Sequence, residues 1–410
     1  MINMINFVLV VIGQVISLLG SVMIRFALNL YVLDITGRAD IFALVIAISA
    51  IPGIVFSPIG GAIADRFNRR NLMVIFDFSS SIVIFILFLL MNTGQIPVIA
   101  IGIILAILAI ISSMYQPAVQ ASVPVLVGED RLAGANGIVN AVGGLAGILG
   151  PILGGILYGI IGLRMLVVIS SAAFFLSAAM EIFIHIPFTK RAQSKHIIVT
   201  ILNDVKDGFI YIVKENPVIL KLFFLASILC LTLVPLFMIG TPYTLRVTLK
   251  SSNVMYGIGL GILELSTISG ALLAGVLAKR LKPSKLYGLI IVIALLLLPM
   301  ALSISPVFLG FGYWLPFVLY SLFLFAVNFI TMILAIFIVT DVQIRTQNEM
   351  LGKVMAIIFS GSQIAVPLGQ IIYGFMLQIT KDAVFVPVLF TSLFTFIIAF
   401  AAKRLLKNIA

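Results

Sequence analysis

The sequence predicts an all-α membrane protein with twelve transmembrane helices in two six-helix halves. Composition is the first reason. The chain is 62% hydrophobic and 10% charged, with mean hydropathy +1.28. Soluble domains carry roughly 25% charged residues, so this chain cannot cover a soluble surface. The second reason is run length: about twelve apolar runs reach the ~20 residues that a spanning helix needs. A membrane barrel is excluded, because its strands are ~10 residues long and alternate in polarity. The third is an internal repeat. Gly61, Ala64, Arg66 and Leu72 recur 214 residues later as Gly275, Ala278, Arg280 and Leu286. Gly137, Ala141, Gly154, Tyr158 and Gly159 recur 215 residues later as Gly352, Ala356, Gly369, Tyr373 and Gly374. Two nearly equal offsets point to a parallel six-plus-six repeat, as in transporters that rock two halves around a central site.

The apolar runs place helices near residues 7–33, 41–64, 72–92, 96–125, 135–161 and 165–187. Six more lie near 216–245, 254–278, 285–305, 313–340, 353–378 and 383–402. The first run has no basic n-region and no small-residue cleavage site, so it is read as a retained helix and not a signal peptide. Glycine and proline inside the runs are compatible with spans, because neighbouring helices satisfy freed backbone groups. The halves are 1–187 and 216–410. The polar linker between them, 188–215, carries Asp204, Asp207 and Glu215 among its cations and is expected to form a short surface helix.

Lysine and arginine set the orientation. Loops after even-numbered helices, with the C-terminus, hold 19 of the 25 cations; the opposite side holds five. The positive-inside rule then puts both termini and the linker in the cytoplasm. The same distribution argues against nucleic acid as the partner of the +11 net charge. Cys230 is the only cysteine, so no intramolecular disulfide forms. His185 and His196 lack metal-site spacing, and neither a metal nor a cofactor is expected. There is no G-x-x-x-x-G-K-S/T loop for ATP. No nucleophile–base set appears either, which argues against an enzyme.

Between the second and third runs lies Gly61-Ala62-Ile63-Ala64-Asp65-Arg66-Phe67-Asn68-Arg69-Arg70. One acid and three arginines cannot lie in hydrocarbon, so this turn sits at one membrane surface. Asp65 either pairs with Arg66, Arg69 or Arg70, or sits at a nearby helix N-terminus. A positive-inside anchor alone explains the arginines but not the acid or the glycine.

The stretch resembles the loop signature G-x-L-A-D-R-x-G-R-K/R of the major facilitator superfamily, and the resemblance covers essentially the whole chain. Ile63 keeps the usual leucine position apolar. Asn68 stands where glycine is usual, and asparagine tolerates a left-handed turn. The resemblance implies that Gly61, Asp65, Arg66, Arg69 and Arg70 latch the outward-open state, with Asp65 near the start of the eleventh helix around Gly352. The repeat copy has Lys279 where Asp65 stands, so only the first copy can latch in this way. Ala146–Gly155, in the fifth helix, is similar to the signature g-x-x-x-G-P-x-x-G-G of drug–proton antiporters. Gly150, Gly154 and Gly155 allow close helix approach, and Pro151 removes a backbone donor. Generic small-residue packing is the alternative. Four further stretches look like the bacterial branch of macrolide and enterobactin exporters. They are Tyr115-Gln116-Pro117-Ala118, Val123-Pro124-Val125-Leu126-Val127, Glu129-Asp130-Arg131-Leu132 with Ala135-Asn136-Gly137, and Asp34-Ile35-Thr36-Gly37.

Ionisable groups inside spans are expensive, which makes them functional candidates. Arg25 shares one face of the first helix with Gln14, Ser17 and Ser21. The resemblance puts that helix along the substrate cavity; the alternative is a structural cation paired with a neighbouring helix. Glu264 is the only carboxylate near the middle of a helix and suits a proton carrier. Gly257, Gly261, Ala271 and Gly275 lie at helical spacing from it, so a structural acid in a packing seam is the alternative. Gln116, Asn328 and Gln363 are further candidates for substrate contact. Asp77 and Glu181 are expected to pair with loop cations, Arg66, Arg69 and Arg70 among them. Asp341 and Glu349 are candidate latch partners. The expected protein is a monomeric, lipid-embedded exporter of amphipathic, macrolide-like small molecules, driven by proton antiport in the bacterial inner membrane. Siderophore or metabolite export, with Arg25 meeting an anionic group, and lipid flipping are the alternatives.

Overall fold

The computed structural model of the chain describes residues 2–94, 96–127, 129–187, 206–277, 286–347 and 350–406. Among these, regular structure is helical throughout, with no strand. The first half contributes α1 (Ile2–Thr36), α2 (Ala39–Arg66), α3 (Arg69–Met91) and α4 (Val98–Leu126). Glu129–Glu181 then runs for 53 residues. At 1.5 Å per residue that is about 80 Å, more than twice a bilayer core. It breaks at Gly162, where φ is 72° and ψ 173°, a conformation that glycine adopts without steric cost. The break gives α5 (129–161) and α6 (163–181), so eleven long apolar helices become twelve spans.

The second half contains α7 (Pro217–Thr248), α8 (Asn253–Leu277), α9 (Leu286–Ser303), α10 (Trp314–Arg345), α11 (Leu351–Ile379) and α12 (Phe385–Leu406). α7 widens into π-helical turns at Leu236–Gly240 and Thr244–Thr248. The Thr241 hydroxyl donates to the Leu236 carbonyl at 3.2 Å, and the buried Tyr320 hydroxyl donates to Thr241 at 3.2 Å. These side-chain bonds compensate the regular α-helical ladder where it opens.

The chain divides into two compact units. One comprises Met1–Gly37, Ile48–Lys195 and Ser252–Gly261; the other Arg38–Ala47, His196–Ser251 and Ile262–Ala410. The first turns of α2 thus group with second-half helices, and the first turns of α8 with first-half helices. Within the first unit α1 packs on the α5–α6 run, and so does α3; within the second, α7 packs on α11 and α12, and α9 on α12. The repeat positions match in contact as well as in sequence. Gly154 lies against Phe26 and Met23 of α1, and Gly369 against Leu231 and Pro235 of α7.

The charged turn departs from expectation at one residue. Asn68 is not left-handed. Its φ is −62° and ψ 115°, and its side chain caps α3 by accepting from the Arg70 amide at 3.0 Å. Capping gives asparagine a use here that glycine lacks. The side chain of Asp65, and all of Lys279, Glu349 and residues 188–205, lie outside the described residues. The end of the linker is helical, with a π-helical turn at Tyr211–Glu215. Lys353 pairs with Asp207 at 2.9 Å, the Asn216 amide donates to the Arg345 carbonyl at 3.0 Å, and the Gln347 amide donates to the Tyr211 hydroxyl at 3.3 Å. Asp341 is bonded within its own helix, to Arg345 at 2.9 Å.

Replacing Asn68 with alanine should remove the cap and destabilise the first unit by about 1 kcal/mol, while serine should retain most of it. Thermal unfolding followed by circular dichroism should shift for alanine and much less for serine. Equal shifts for both would show that the side-chain cap has no role.

Candidate functional site

The polar face of α1 turns into the first unit. Gln14 is 1% exposed, and its amide nitrogen lies 3.5 Å from the Val139 carbonyl of α5, while its oxygen is buried without a partner. Ser17 donates to Asp77 of α3 at 2.7 Å. Arg25 binds α4, donating to the Leu108 carbonyl at 3.0 Å and to Ser112 at 2.8 Å. Its Nε is buried without a partner. Both groups that Arg25 binds are neutral, so its charge is not cancelled by them. Ser21 and Gln116 are half-buried.

The glycine-rich stretch of α5 is a contact surface for two helices. Gly150 and Gly154 meet Val22 and Phe26 of α1. Gly155 meets the Asn253 carbonyl of α8, and the Pro151 carbonyl would lie 2.7 Å from a Cβ added to Gly257. Pro151 keeps α5 without its donor, and its carbonyl faces the glycine seam of α8. Dispersion drives such packing, because lipid removes any hydrophobic incentive between spans. Gly61, by contrast, has nothing within 4 Å of a Cβ position. The tight residue is its neighbour Gly60, whose Cβ would meet the Ser113 carbonyl at 2.7 Å and Met114 at 2.8 Å.

The second unit holds an apolar cavity of about 270 Å³ between α7, α10 and α11, lined by Leu229, Phe237, Asn328, Thr331, Ile338 and Ser362 among others. Asn328 is fixed by α8: its amide nitrogen lies 3.1 Å from the Leu263 carbonyl, 2.7 Å from Ser266 and 2.8 Å from Thr267. Glu264 is half-buried on α8, next to Leu263, and has no hydrogen-bond or ion-pair partner among the described residues. Gln363 is exposed, and the polar α11 residue at the cavity is Ser362. Sequence reasoning missed Ser362 and Thr331; Thr331 lies three residues after Asn328, a spacing that could have revealed it.

Asp77 and Glu181 correct the expectation of pairing with loop cations. Asp77 accepts from Ser17, and Glu181 accepts from the Tyr115 hydroxyl at 2.8 Å. Arg69 instead donates to the Ala64 carbonyl at 3.3 Å, and Arg70 to the Ile182 carbonyl and to Asn71. The reason is axial distance. Asp77 follows Arg70 by seven residues, so the two share a face but stand about 10 Å apart along the helix.

Twelve spans, an internal repeat and polar groups enclosed in the bundle define a multi-pass membrane transporter. The family follows from comparison. Residues 10–369 match the model of the Major Facilitator Superfamily, and the chain belongs to that family. Its members move small molecules, so the chain is a transporter and not an enzyme. The macrolide efflux protein A of Streptococcus pyogenes is 23% identical over 364 residues, covering 88% of this chain and 86% of that one. The fold is similar to crystal structures of a mutant of the nucleoside transporter NupG and of a bacterial homologue of the iron transporter ferroportin. The first has a TM-score of 0.75 at 15% identity, covering 98% of this chain and 99% of that one. The second has 0.70 at 14%, with the same coverage.

The glycines yield a graded expectation. Gly155→Ala drives a methyl group into a backbone carbonyl that cannot rotate away, and should cost about 1–3 kcal/mol. Gly61→Ala meets open space and should leave stability within about 0.5 kcal/mol. Unfolding temperatures of the two variants in detergent test the ordering, which fails if Gly61→Ala is the more damaging.

Proposed function

We propose that the protein exports amphipathic small molecules by proton antiport with alternating access. The observation that carries this reading is the cavity of the second unit. It is apolar, with Asn328, Thr331 and Ser362 as polar points, and the partnerless Glu264 sits beside the α8 layer that holds Asn328. An apolar wall with a few fixed polar groups suits a large amphipathic substrate. The similarity to macrolide efflux proteins supports macrolide-like compounds as the first probes. In this reading both termini face the cytoplasm of a bacterial inner membrane, the halves 1–187 and 216–410 alternate, and the protein acts as a monomer. Arg25, Gln14, Ser21, Gln116, Asn328 and Gln363 contact substrate in the course of the cycle. Gly61 and Asp65, with Arg66, Arg69 and Arg70, latch the outward-open state.

A second reading is favoured by Arg25. A guanidinium bound only to a carbonyl and a hydroxyl keeps its full charge available to an anion, which suits an anionic metabolite or siderophore.

Reconstituted vesicles with an imposed pH gradient separate the readings. Erythromycin or ethidium efflux driven by the gradient is expected, with Glu264→Gln abolishing the drive while substrate binding persists. Normal gradient-driven efflux by that variant would remove Glu264 from the mechanism. Replacing Arg25 with glutamine should weaken transport of anionic substrates roughly tenfold and leave cationic dyes little changed, since a lost interaction of 1.4 kcal/mol is a factor of ten. Equal loss for both charges would make Arg25 a structural cation.

A further inference from the structure

The first unit encloses a second acidic site, outside the exporter motif and the cavity. Asp77 is 2% exposed and Glu181 is fully buried. Ser17 of α1 donates to Asp77 Oδ1 at 2.7 Å, and Tyr115 of α4 donates to Glu181 Oε1 at 2.8 Å. Ser177 of α6 donates to the Gly13 carbonyl at 3.0 Å, and its hydroxyl and Glu181 Oε1 both lie against Gly13. The remaining oxygens, Asp77 Oδ2 and Glu181 Oε2, are buried with no hydrogen-bond partner. Four helices therefore close around two carboxyl groups and leave one acceptor on each unfilled.

No cation compensates them among the described residues. The titratable group that faces them is Tyr115; α1 contributes Gly13 and Ser17, both neutral. Arg70 approaches from the end of α6 but binds the Ile182 carbonyl, and Arg25 binds Leu108 and Ser112. A buried charge without a counter-ion costs several kcal/mol, and two such charges repel each other. Glu181 also ends α6, where the negative pole of the helix opposes a further negative charge. One added proton removes a charge and supplies a donor where a donor is missing.

The repeat shows that the fold does not need these acids. The offsets of 214 and 215 residues carry Asp77 to Ile291 and Glu181 to Phe396. The second copy builds its six helices with apolar side chains at both places. A purely structural cluster would also be expected to satisfy its polar atoms, because a half-filled network destabilises a core.

We infer that Asp77 and Glu181 form a proton-binding site, holding one exchangeable proton within the cluster of Ser17, Asp77, Tyr115, Ser177 and Glu181. Its use as a coupling site rests on the antiport reading above; its existence does not. Tyr115 and Ser17 are positioning residues that orient the two carboxyl groups.

Infrared difference spectroscopy of the purified full-length protein tests the site directly. Spectra are recorded across pH for the wild type and for Asp77→Asn, Glu181→Gln and the double variant, with circular dichroism as the check on folding. A protonated-carboxyl band is expected in the wild type and should be lost in the double variant. Tyr115→Phe, the mildest change, should move that band to higher frequency by deleting its hydrogen bond. A band that is unaltered in the double variant and in Tyr115→Phe would overturn the site. Ethidium flux in vesicles with a pH gradient is measured in parallel. A wild type with the band but no gradient-driven flux keeps the site and refutes antiport. Gradient-driven flux with an unaltered band in the variants keeps antiport and refutes the site.

Discussion

Hydrocarbon offers no hydrogen-bond partner, and most of this structure follows from that. A polar atom inside a span must be satisfied by its own helix or by a neighbour. Many hydroxyls take the first course: Ser266 bonds the Leu263 carbonyl at 2.6 Å, and Thr331 bonds the Val327 carbonyl at 2.7 Å. A few take the second, and they join corresponding pairs of helices in the two halves. Ser81 of α3 and Ser171 of α6 bond each other's carbonyls at 2.9 and 3.0 Å, and Ser392 of α12 bonds the Ala294 carbonyl of α9 at 2.7 Å. The pairs α3–α6 and α9–α12 are thus fastened alike, by bonds worth roughly 0.6–2 kcal/mol each.

Close approach supplies the rest of the cohesion. Spans gain nothing from burying apolar surface against one another in lipid, so contact density decides which helices associate. Gly257 against Pro151, Gly270 against Phe329 and Gly60 against Ser113 each bring one backbone onto another. The exporter-like signature of α5 and the small-residue seam are one surface. Gly150 and Gly154 face α1 while Gly155 faces α8, so three glycines in six residues serve two helices. A motif with that geometry restricts how α5 can move without losing both contacts at once.

The spans and their number were legible in the sequence because each run must cross hydrocarbon and each loop must leave it. The face of α1 was legible because helical spacing is regular. Legibility fails where a side chain's fate depends on a distant helix. The π-turns of α7 were not read from the sequence: Thr241 bonds the nearby Leu236 carbonyl, but the hydroxyl that holds Thr241 comes from Tyr320, 79 residues away. Asp77 was misread because proximity in sequence to three arginines looked like pairing, and the axial rise of the helix separates them. The packing role of Gly60 was not read from the sequence, because it depends on helical phase against α4. Asn68 was read through the glycine it replaces, and its own chemistry as a cap decided the turn.

The two units share a scaffold but differ in what they enclose. The first closes its polar groups into a cluster with two unfilled acceptors, and the second keeps an open apolar cavity beside Asn328. A proton can shift a conformational equilibrium only by binding its states with different affinity. Buried carboxyl groups meet that condition when helix movement changes their access to water. Asp77, Tyr115 and Glu181 sit on three different helices, so any relative movement of α3, α4 and α6 alters the cluster. Glu264 lies three residues past Gly261, where α8 passes from one unit to the other. Under antiport, a proton in the first unit and a proton at that crossing would report on different movements. Tying both to the same cycle needs a coupling free energy of only about 1–3 kcal/mol, comparable to one unfilled buried acceptor.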